Sequence, residues 1–233
     1  MRTDKLGVRG SALLIGNSDG IGLAATRRLL AAGWTVAGIS RSVSPVAGAN
    51  YRHIIADVSG PGYPALVADL VEKNNPDLCV YFAGIGEFLN LADMGDEVRV
   101  FEVNLTGMIK TAAAVIPRMV QRGSGHFIGI SSLADELAPA EAPSYSASKA
   151  GFTSYLAGLA QALKPEGVSV TTVRFGYVDT KMAKDEKKPF LMSVEKAVDH
   201  LEICIRKKPV RYTAPALAIP LVKMIKLIMR IQA

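Results

Sequence analysis

Two side chains that could together move a proton lie four positions apart near the middle of the chain. Tyr145 is followed by Lys149 in the stretch PSYSASKAGF. Positions i and i+4 of a helix share a face, so the ammonium would lie beside the phenol. A neighbouring positive charge lowers the pKa of a phenol from about 10 toward neutrality, and Tyr145 would then donate or accept a proton at physiological pH. A serine hydroxyl, Ser132 or its neighbour Ser131, could hydrogen-bond the same substrate oxygen.

A glycine-rich stretch near the N-terminus has the pattern of a dinucleotide-binding turn. Gly16, Gly20 and Gly22 follow the apolar run 11–15 and precede the helical pattern LAATRRLLAAGW. Glycines let backbone N–H groups approach a pyrophosphate, and the helix N-terminus adds a positive dipole. The strand, turn and helix context therefore predicts a dinucleotide site, whereas the glycines alone would fit a plain structural turn.

The choice between NADP(H) and NAD(H) depends on two residues. Ser40 and Arg41 follow the second predicted strand, where an acidic residue would bind the ribose hydroxyls of NAD(H). No acidic residue stands there, and the guanidinium of Arg41 suits the 2′-phosphate of NADP(H). The alternative is that Arg41 is a solvated loop residue. Asp19, just before the second glycine, could repel a 2′-phosphate and favour NAD(H), or it could cap the helix. We favour helix capping, and hence NADP(H).

The order of predicted elements indicates one α/β domain spanning 1–233. Continuous apolar strands joined by helices are typical of a Rossmann-type, doubly wound parallel sheet. Only 11 residues separate Ile39 from Tyr51, so the second crossover should be short or irregular. The predicted strands cover 11–15, 34–39, 51–56, 77–82, 125–131 and 168–174, and the predicted helices cover 20–32, 62–74, 97–121, 143–163 and 194–206.

Composition and cysteine spacing narrow the classes of protein further. The chain is 49% hydrophobic and 21% charged, as expected of a packed globular protein. Cys79 and Cys204 lie far apart, without metal-ligand spacing, which predicts a reducing compartment and no metal site. The first ten residues lead directly into a strand, so we expect no signal peptide and a cytoplasmic location.

The net charge of +6 comes from the C-terminal region. Residues 203–233 contain seven basic and no acidic residues, and the rest of the chain has a net charge of −1. This distribution does not predict a nucleic-acid partner. We expect a basic amphipathic helix in the extension 214–233, with Lys223, Lys226 and Arg230 within about 60° of one another. Residues 217–231 could contact a membrane surface peripherally, pack on their own domain, or pack on a partner subunit.

Taken together, the motifs resemble the short-chain dehydrogenase/reductase family over nearly the whole chain. The TGxxxGIG motif of the family is matched by residues 15–22 and the YxxxK motif by Tyr145 and Lys149. The other matching stretches are Asp57-Val58 after the third strand, residues 81–84 for the NNAG turn, Asn104 in VNLTG, and residues 175–180 for PGxxxT.

The resemblance implies a reaction and a role for each catalytic residue. Tyr145 would exchange a proton with a carbonyl or alcohol oxygen while a hydride passes to or from the nicotinamide. Ser132 would polarise that oxygen, Lys149 would hold the nicotinamide ribose and tune Tyr145, and Asn104 would hold a relay water. The substrate would be a small carbonyl or alcohol compound. Members of the family commonly form homodimers or homotetramers.

The resemblance also implies the cofactor contacts. Asp57-Val58 would touch the adenine, and Thr180 with the backbone near Val178 would fix the carboxamide. The full implied set is Gly16, Asn17, Ser18, Asp19, Gly20, Ile21, Gly22, Ser40, Arg41, Asp57, Val58, Ala83, Gly84, Tyr145, Lys149, Gly176, Val178 and Thr180.

Three departures from the family pattern leave alternatives open. Ile15 replaces a threonine and Tyr81-Phe82 replace two asparagines, which we interpret as one coordinated apolar change. Phe175 replaces a proline and should loosen the turn before the nicotinamide. The alternative function is a non-catalytic NADP(H)-binding sensor or scaffold, and epimerase or dehydratase chemistry stays open among enzymes.

Residues 182–206 are the predicted substrate lid region. Charged residues there precede the apolar stretch 189–192, which suits a mobile lid over an apolar carbonyl substrate. A surface helix and turn that merely dock on the domain would fit the same pattern.

Overall fold

Seven parallel strands form one sheet in a computed structural model that describes residues 9–183 and 189–232, and the side chains of 9–183 and 189–228. The strands are β1 Ser11–Ile15, β2 Thr35–Ser40, β3 Tyr51–Ile55, β4 Leu78–Tyr81, β5 Gly125–Ser132, β6 Val168–Phe175 and β7 Arg211–Ala214. The helices are α1 Gly20–Ala31, α2 Tyr63–Asn74, α3 Gly95–Phe101, α4 Gly107–Arg122, α5 Pro143–Leu163, α6 Val194–Lys207 and α7 Ala218–Gln232. The spatial order is β3-β2-β1-β4-β5-β6-β7, so the winding reverses between β1 and β4, where ligands bind in such sheets.

The doubly wound α/β fold confirms the predicted fold class. All six predicted strands form within one residue of their predicted ends, and the β2–β3 connection contains no helix, as its length predicts. The prediction missed β7, which pairs with β6 at the sheet edge in register Thr172↔Arg211. Its four residues RYTA carry little strand signal, and only the neighbouring strand selects their conformation.

The predicted helix 97–121 is interrupted by a π-helical turn at Glu102–Thr106. The hydroxyl of Tyr81 donates to the carbonyl oxygen of Val103 at 2.6 Å, and this bond enters the helix at the widened turn. A side chain inserted into the i→i−4 ladder is a known cause of such a break. The widened turn carries Asn104, which is fully buried.

The sheet buries a hydrophobic cluster on each face. One lies under α2, α4 and α5, and the other under α1 and α6. Ile15 and Tyr81 are paired in register, are fully buried, and share the first cluster. Phe82 packs against the second cluster. The Ile15 and Tyr81 departures are therefore one packing unit, as predicted, whereas Phe82 contributes to the opposite face.

The first part of α7 packs on its own domain. Ala218 and Val222 are buried against Leu133, and the Lys226 ammonium lies 3.8 Å from the Glu136 carboxylate. Among the residues that the structure describes, no helix is long and apolar enough to cross a membrane.

The predicted lid region divides into two unlike parts. Residues 194–206 belong to α6, which buries one face in the core and is tied to α1 by Arg28, whose guanidinium contacts Asp199 at 3.1 Å and Glu202 at 2.9 Å. This half of the predicted lid is a fixed helix, because its apolar residues recur on one face. Residues 184–188 lie outside the described part of the chain. Met192 is buried, and it pairs with Val178 in an isolated parallel bridge.

Candidate active site

The glycine loop after β1 is a close-fitting turn between β2 and β4. Gly16 has φ +84°, its N–H donates to the Ile39 carbonyl at 2.7 Å, and an added Cβ would lie 2.6 Å from the backbone nitrogen of Ala83. An added Cβ on Gly22 would collide with the backbone of Gly16. The loop therefore presents bare backbone at the start of α1, which fits a pyrophosphate.

The three side chains at the centre of this loop have different surroundings. Asn17 is fully buried and turns toward the sheet, so its contact with a nucleotide would use the backbone. Ser18 is partly exposed, and Ile21 packs against the second hydrophobic cluster.

Asp19 is the N-cap of α1. Its carboxylate accepts a hydrogen bond from the Gly20 N–H at 2.8 Å and forms a 2.7 Å ion pair with Lys181. The hydrogen bond with Lys181 is the largest of the effects that lower the pKa of Asp19. The structure thus contains the capping interaction, and the ion pair joins the glycine loop to the segment after Thr180. An added Cβ on Gly20 would lie 3.1 Å from the Thr180 methyl group.

The end of β2 presents one exposed guanidinium. Ser40 is buried, whereas Arg41 is exposed. Asp57 accepts hydrogen bonds from the Ser59 N–H at 2.9 Å and from its hydroxyl at 2.7 Å. Burial acts to raise the pKa of Asp57, but the bonds with Ser59 and the nearby charge of Arg41 outweigh it and lower the pKa. Val58 is buried in the core, so the Asp57 side chain and the backbone of both residues are left for the implied adenine contact, which stays a prediction.

Tyr145 and Lys149 share one face of α5, as predicted, but the pKa of the tyrosine is raised rather than lowered. The Lys149 ammonium lies 5.9 Å from the Tyr145 ring centre and donates to the Ile130 carbonyl oxygen at 3.0 Å. Burial raises the pKa of Tyr145, and a hydrogen bond with Ser132 opposes that rise. Burial lowers the pKa of Lys149 to about 8, against an opposing effect of Asp135. Desolvation of the phenol is the largest effect on this pKa, and it exceeds the opposing effect of Ser132.

The two neighbouring serines at the end of β5 point to different partners. Ser132 hydrogen-bonds with Tyr145, and its hydroxyl also accepts from the Ala134 N–H at 3.1 Å. Ser131 is buried, and its hydroxyl lies 2.8 Å from that of Thr153 on α5. Ser131 is therefore engaged by Thr153, and Ser132 is the serine beside the tyrosine.

Asn104 fastens the loop after β4 beside the lysine. Its amide accepts from the Ile85 N–H at 2.8 Å, donates to the Ile85 carbonyl at 2.9 Å, and donates to the Ser148 hydroxyl at 3.0 Å. An added Cβ on Gly84 would lie 3.4 Å from the Asn104 amide oxygen and 3.5 Å from the Lys149 ammonium. Glycine at this position therefore lets the amide and ammonium groups converge.

The backbone around Ala83 and Gly86 completes the floor of this site. The Ala83 N–H donates to the Ile15 carbonyl at 3.0 Å, which joins the ends of β1 and β4. An added Cβ on Gly86 would lie 3.4 Å from the Tyr145 ring. The absence of a side chain at Gly86 leaves the face of the phenol uncovered.

Phe175 does not loosen the segment before Thr180. It extends β6, in register with Ser132 on one side and Ala214 on the other, and it is buried. The Gly176 N–H then donates to the Ala214 carbonyl at 2.9 Å. Phenylalanine keeps the strand paired because it has the N–H that proline lacks, so the expected loosening is wrong.

Four residues near the site carry polar contacts that the motifs do not indicate: Tyr51, His53, Asp135 and Arg174. Arg174 is the only charged residue in the stretch VSVTTVRF, which contains the sixth predicted strand. A charge in a buried strand needs a partner, so this position could have been predicted to carry an ion pair. The partners of the others lie far away in sequence. Within the described residues, no group of three or more His, Cys, Asp or Glu side chains could hold a metal ion.

Comparisons with known proteins agree with this geometry. Residues 11–189 match the family described as "short chain dehydrogenase". A "Putative ketoacyl reductase" of Streptomyces coelicolor is 32% identical over 224 residues, which are 88% of this chain and 85% of that protein. An "Uncharacterized oxidoreductase" of Myxococcus xanthus is 36% identical over 132 residues, which are 55% of this chain but only 52% of that protein.

A solved short chain dehydrogenase from Burkholderia cenocepacia in complex with NADP has the same fold. Its TM-score is 0.82 at 23% identity, with 92% of each chain covered. The family match over most of the chain identifies the type of enzyme, and the structural likeness independently supports the fold. The chain belongs to the short-chain dehydrogenase/reductase family of NAD(P)-dependent oxidoreductases.

Proposed function

We propose that the chain is an NADP(H)-dependent oxidoreductase that interconverts a carbonyl and a secondary alcohol, with Tyr145 as proton donor and acceptor. The observation that carries the proposal is the position of Tyr145 and Lys149 on one face of α5, where the ammonium lies 5.9 Å from the centre of the phenol ring. A bound NADPH would supply the hydride. The glycine loop, Ser40, Arg41, Asp57 and the segment 176–180 would hold this cofactor.

The side chains divide the remaining work. Ser132 donates a hydrogen bond to the substrate oxygen, and Tyr145 delivers its proton to that oxygen as negative charge develops there. Burial keeps the phenol protonated in the free protein, which suits it to donate a proton during reduction. Lys149 supplies positive charge beside the phenolate that forms, and Asn104 holds the loop at Ile85 in place.

The preference for NADP(H) is proposed from the charges at the end of β2. Arg41 is exposed there, and the carboxylate of Asp57 is engaged by Ser59. A 2′-phosphate would therefore meet a guanidinium, whose forked N–H groups match phosphate geometry. The NADP complex of the Burkholderia cenocepacia protein supports the same preference.

A carbonyl substrate with an apolar portion is proposed from the surface beyond the tyrosine. Tyr177, Met182, Phe190 and Leu191 are exposed large side chains in the segment that follows β6. The similarity of the chain to a putative ketoacyl reductase of Streptomyces coelicolor supports a carbonyl substrate. We also propose a homodimer or homotetramer, by analogy with the family habit.

The decisive experiment compares the wild type with Tyr145→Phe. The variant should still bind NADPH, because only a hydroxyl is lost, but NADPH oxidation over a panel of ketones should fall at least about 100-fold. Separate titrations with NADPH and NADH measure the cofactor preference. Wild type that binds NADPH but reduces no carbonyl compound would favour the sensor or scaffold alternative instead.

A peripheral membrane contact through 217–231 is a second proposal. Leu217, just before α7, and Met224, Leu227 and Ile228 on α7 are exposed beside the exposed Lys223, a combination that suits an anionic lipid surface. Co-sedimentation with vesicles containing an anionic lipid tests it. The doubly substituted variant Leu227→Gln/Ile228→Gln should sediment less than the wild type, and equal sedimentation would contradict the contact.

A further inference from the structure

A chain of side-chain hydrogen bonds joins the glycine loop to the end of β2. The Asn17 amide donates to the Tyr51 hydroxyl at 2.8 Å, and that hydroxyl lies 3.1 Å from His53 Nδ1. His53 Nε2 lies 3.0 Å from the carbonyl oxygen of Ser42. The Ser40 hydroxyl donates to the same carbonyl at 3.0 Å. Three separate segments of the chain are therefore joined through Tyr51 and His53.

The partners assign a single direction to these hydrogen bonds. The Ser42 carbonyl can only accept, so His53 Nε2 carries the hydrogen that points to it. Nδ1 of the same ring then accepts, and the Tyr51 hydroxyl donates to it. The Tyr51 oxygen accepts in turn from Asn17. Every donor in this chain of bonds meets an acceptor, and the buried amide oxygen of Asn17 has no hydrogen-bond partner among the described residues.

The Asn17 end of the chain is anchored in the sheet. Its amide also donates to the Thr26 hydroxyl at 3.2 Å, and an added Cβ on Gly38 of β2 would collide with it. Only a glycine at position 38 of β2 leaves room for the buried side chain of Asn17. Asn17 stands directly after Gly16 of the cofactor loop, so the anchor lies at the predicted pyrophosphate site.

The opposite end of the chain holds both neighbours of Arg41. Ser42 is bound through its carbonyl, and the Ser40 hydroxyl lies 3.2 Å from His53 Nε2. The backbone on each side of Arg41 is therefore fixed, while the guanidinium is exposed. Fixing a loop in its binding conformation lowers the entropy lost when a ligand binds.

We propose that Tyr51 and His53 are specificity-determining positioning residues that fix the 40–42 turn so that Arg41 meets the 2′-phosphate of NADP(H). The inference rests on the proposed function, because it assigns the 2′-phosphate to Arg41. NADH carries a hydroxyl in place of that phosphate and gains little from Arg41. We call Tyr51 and His53 the clamp, and its loss should weaken the binding of NADPH more than the binding of NADH.

The test measures the Kd of NADPH and of NADH for variants of the full chain. His53→Ala should raise the Kd of NADPH about 10-fold, the equivalent of one hydrogen bond, and change that of NADH less than about 2-fold. His53→Gln can still donate to Ser42 and should recover most of the NADPH affinity. Tyr51→Phe removes only a hydroxyl and should weaken NADPH binding in the same selective way.

His200→Ala is the matched control. His200 Nδ1 lies 2.8 Å from the Tyr212 hydroxyl, a second histidine–tyrosine pair that joins α6 to β7 at the opposite sheet edge. Its loss should leave both Kd values unchanged. Equal weakening of NADPH and NADH binding in the His53 and Tyr51 variants, or no weakening of either, would overturn the proposal.

Arg41→Ala separates the clamp from the function on which it rests. A selective loss of NADPH affinity in Arg41→Ala, without one in the His53 and Tyr51 variants, overturns the clamp and leaves the cofactor assignment standing. An unchanged cofactor preference in Arg41→Ala overturns the assignment of the 2′-phosphate to Arg41, and with it the clamp.

Discussion

Asp135 and Arg174 form a buried ion pair beside the end of β5, where Ser132 is located. The Arg174 guanidinium contacts one carboxylate oxygen at 2.7 Å and the other at 2.5 Å, and both side chains are less than 5% exposed. The Thr153 hydroxyl donates to the same carboxylate at 2.7 Å. The pair joins β6 and α5 to the short 3₁₀ turn that Ser132 caps, and so couples the fold to a proposed catalytic residue.

We expect Asp135→Asn to cost about 3 kcal/mol of unfolding free energy, the lower end for a broken buried ion pair, because Arg174 keeps a carboxylate contact with Glu136 at 2.6 Å. Urea unfolding measures the loss. Lys73→Ala, which breaks an exposed pair with Asp69, should cost less than about 0.5 kcal/mol. The double variant Asp135→Asn/Arg174→Gln should recover part of the stability, and additive losses would contradict direct coupling.

The pKa of Lys149, lowered by burial to about 8, predicts an upper pH limit for carbonyl reduction. Lysine is charged below its pKa, so Lys149 loses its positive charge as the pH rises through about 8. We expect kcat/KM for reduction to fall above that pH, measured from pH 6 to 10. Asp135 acts to raise this pKa, so Asp135→Asn should move the fall to lower pH. A flat profile up to pH 10 would contradict the prediction.

Burial lowers the pKa of His126 to about 3, which predicts a loss of stability in acid. Below the ordinary histidine pKa of 6.5 the unfolded chain binds a proton that the folded protein does not. The stability is complete above pH 6.5 and decreases as the pH falls toward 3. Between pH 6.5 and 5 the loss should be about 2 kcal/mol.

His126→Gln should remove most of this pH dependence, since glutamine does not titrate and can bond the Thr171 hydroxyl, which lies 2.8 Å from His126 Nε2. Denaturant unfolding at pH 7 and pH 5 gives the comparison. His200→Gln, at a partly exposed site, should change the pH dependence less. Identical slopes for wild type and His126→Gln would show that other groups cause the acid sensitivity.

Gly16→Ala should disrupt the glycine loop, because φ is +84° and the new methyl group would lie 2.6 Å from the Ala83 nitrogen. We expect a loss of about 2–4 kcal/mol in stability and of measurable NADPH binding. Gly158→Ala in α5 is the control. An added Cβ there has no atom within 4 Å, so the variant should be more stable by about 0.5–1 kcal/mol. Retained cofactor binding in Gly16→Ala would contradict the close-fitting turn.

Local patterns in the sequence sufficed for the fold and for the proposed catalytic pair. Apolar runs, turn glycines and the 3.6-residue period are properties of neighbouring residues, so β1, the glycine loop and α1 follow from a short stretch of chain. Tyr145 and Lys149 share a face for the same reason, because one helix positions both. The direction of the pKa shift of Tyr145 could not be predicted from local patterns, because it depends on burial by distant segments.

Local sequence patterns predicted the parallel sheet, the glycine loop, the helix cap at Asp19 and the shared helix face of Tyr145 and Lys149. Packing between distant segments was needed to show that β7 joins the sheet edge and that His53 contacts both neighbours of Arg41. The two kinds of contact differ in how far apart the contacting residues lie along the chain. A turn or a helical face is set by residues a few positions apart, whereas a buried hydrogen bond such as that of Asp135 with Arg174 joins residues 39 positions apart, and only packing brings them together.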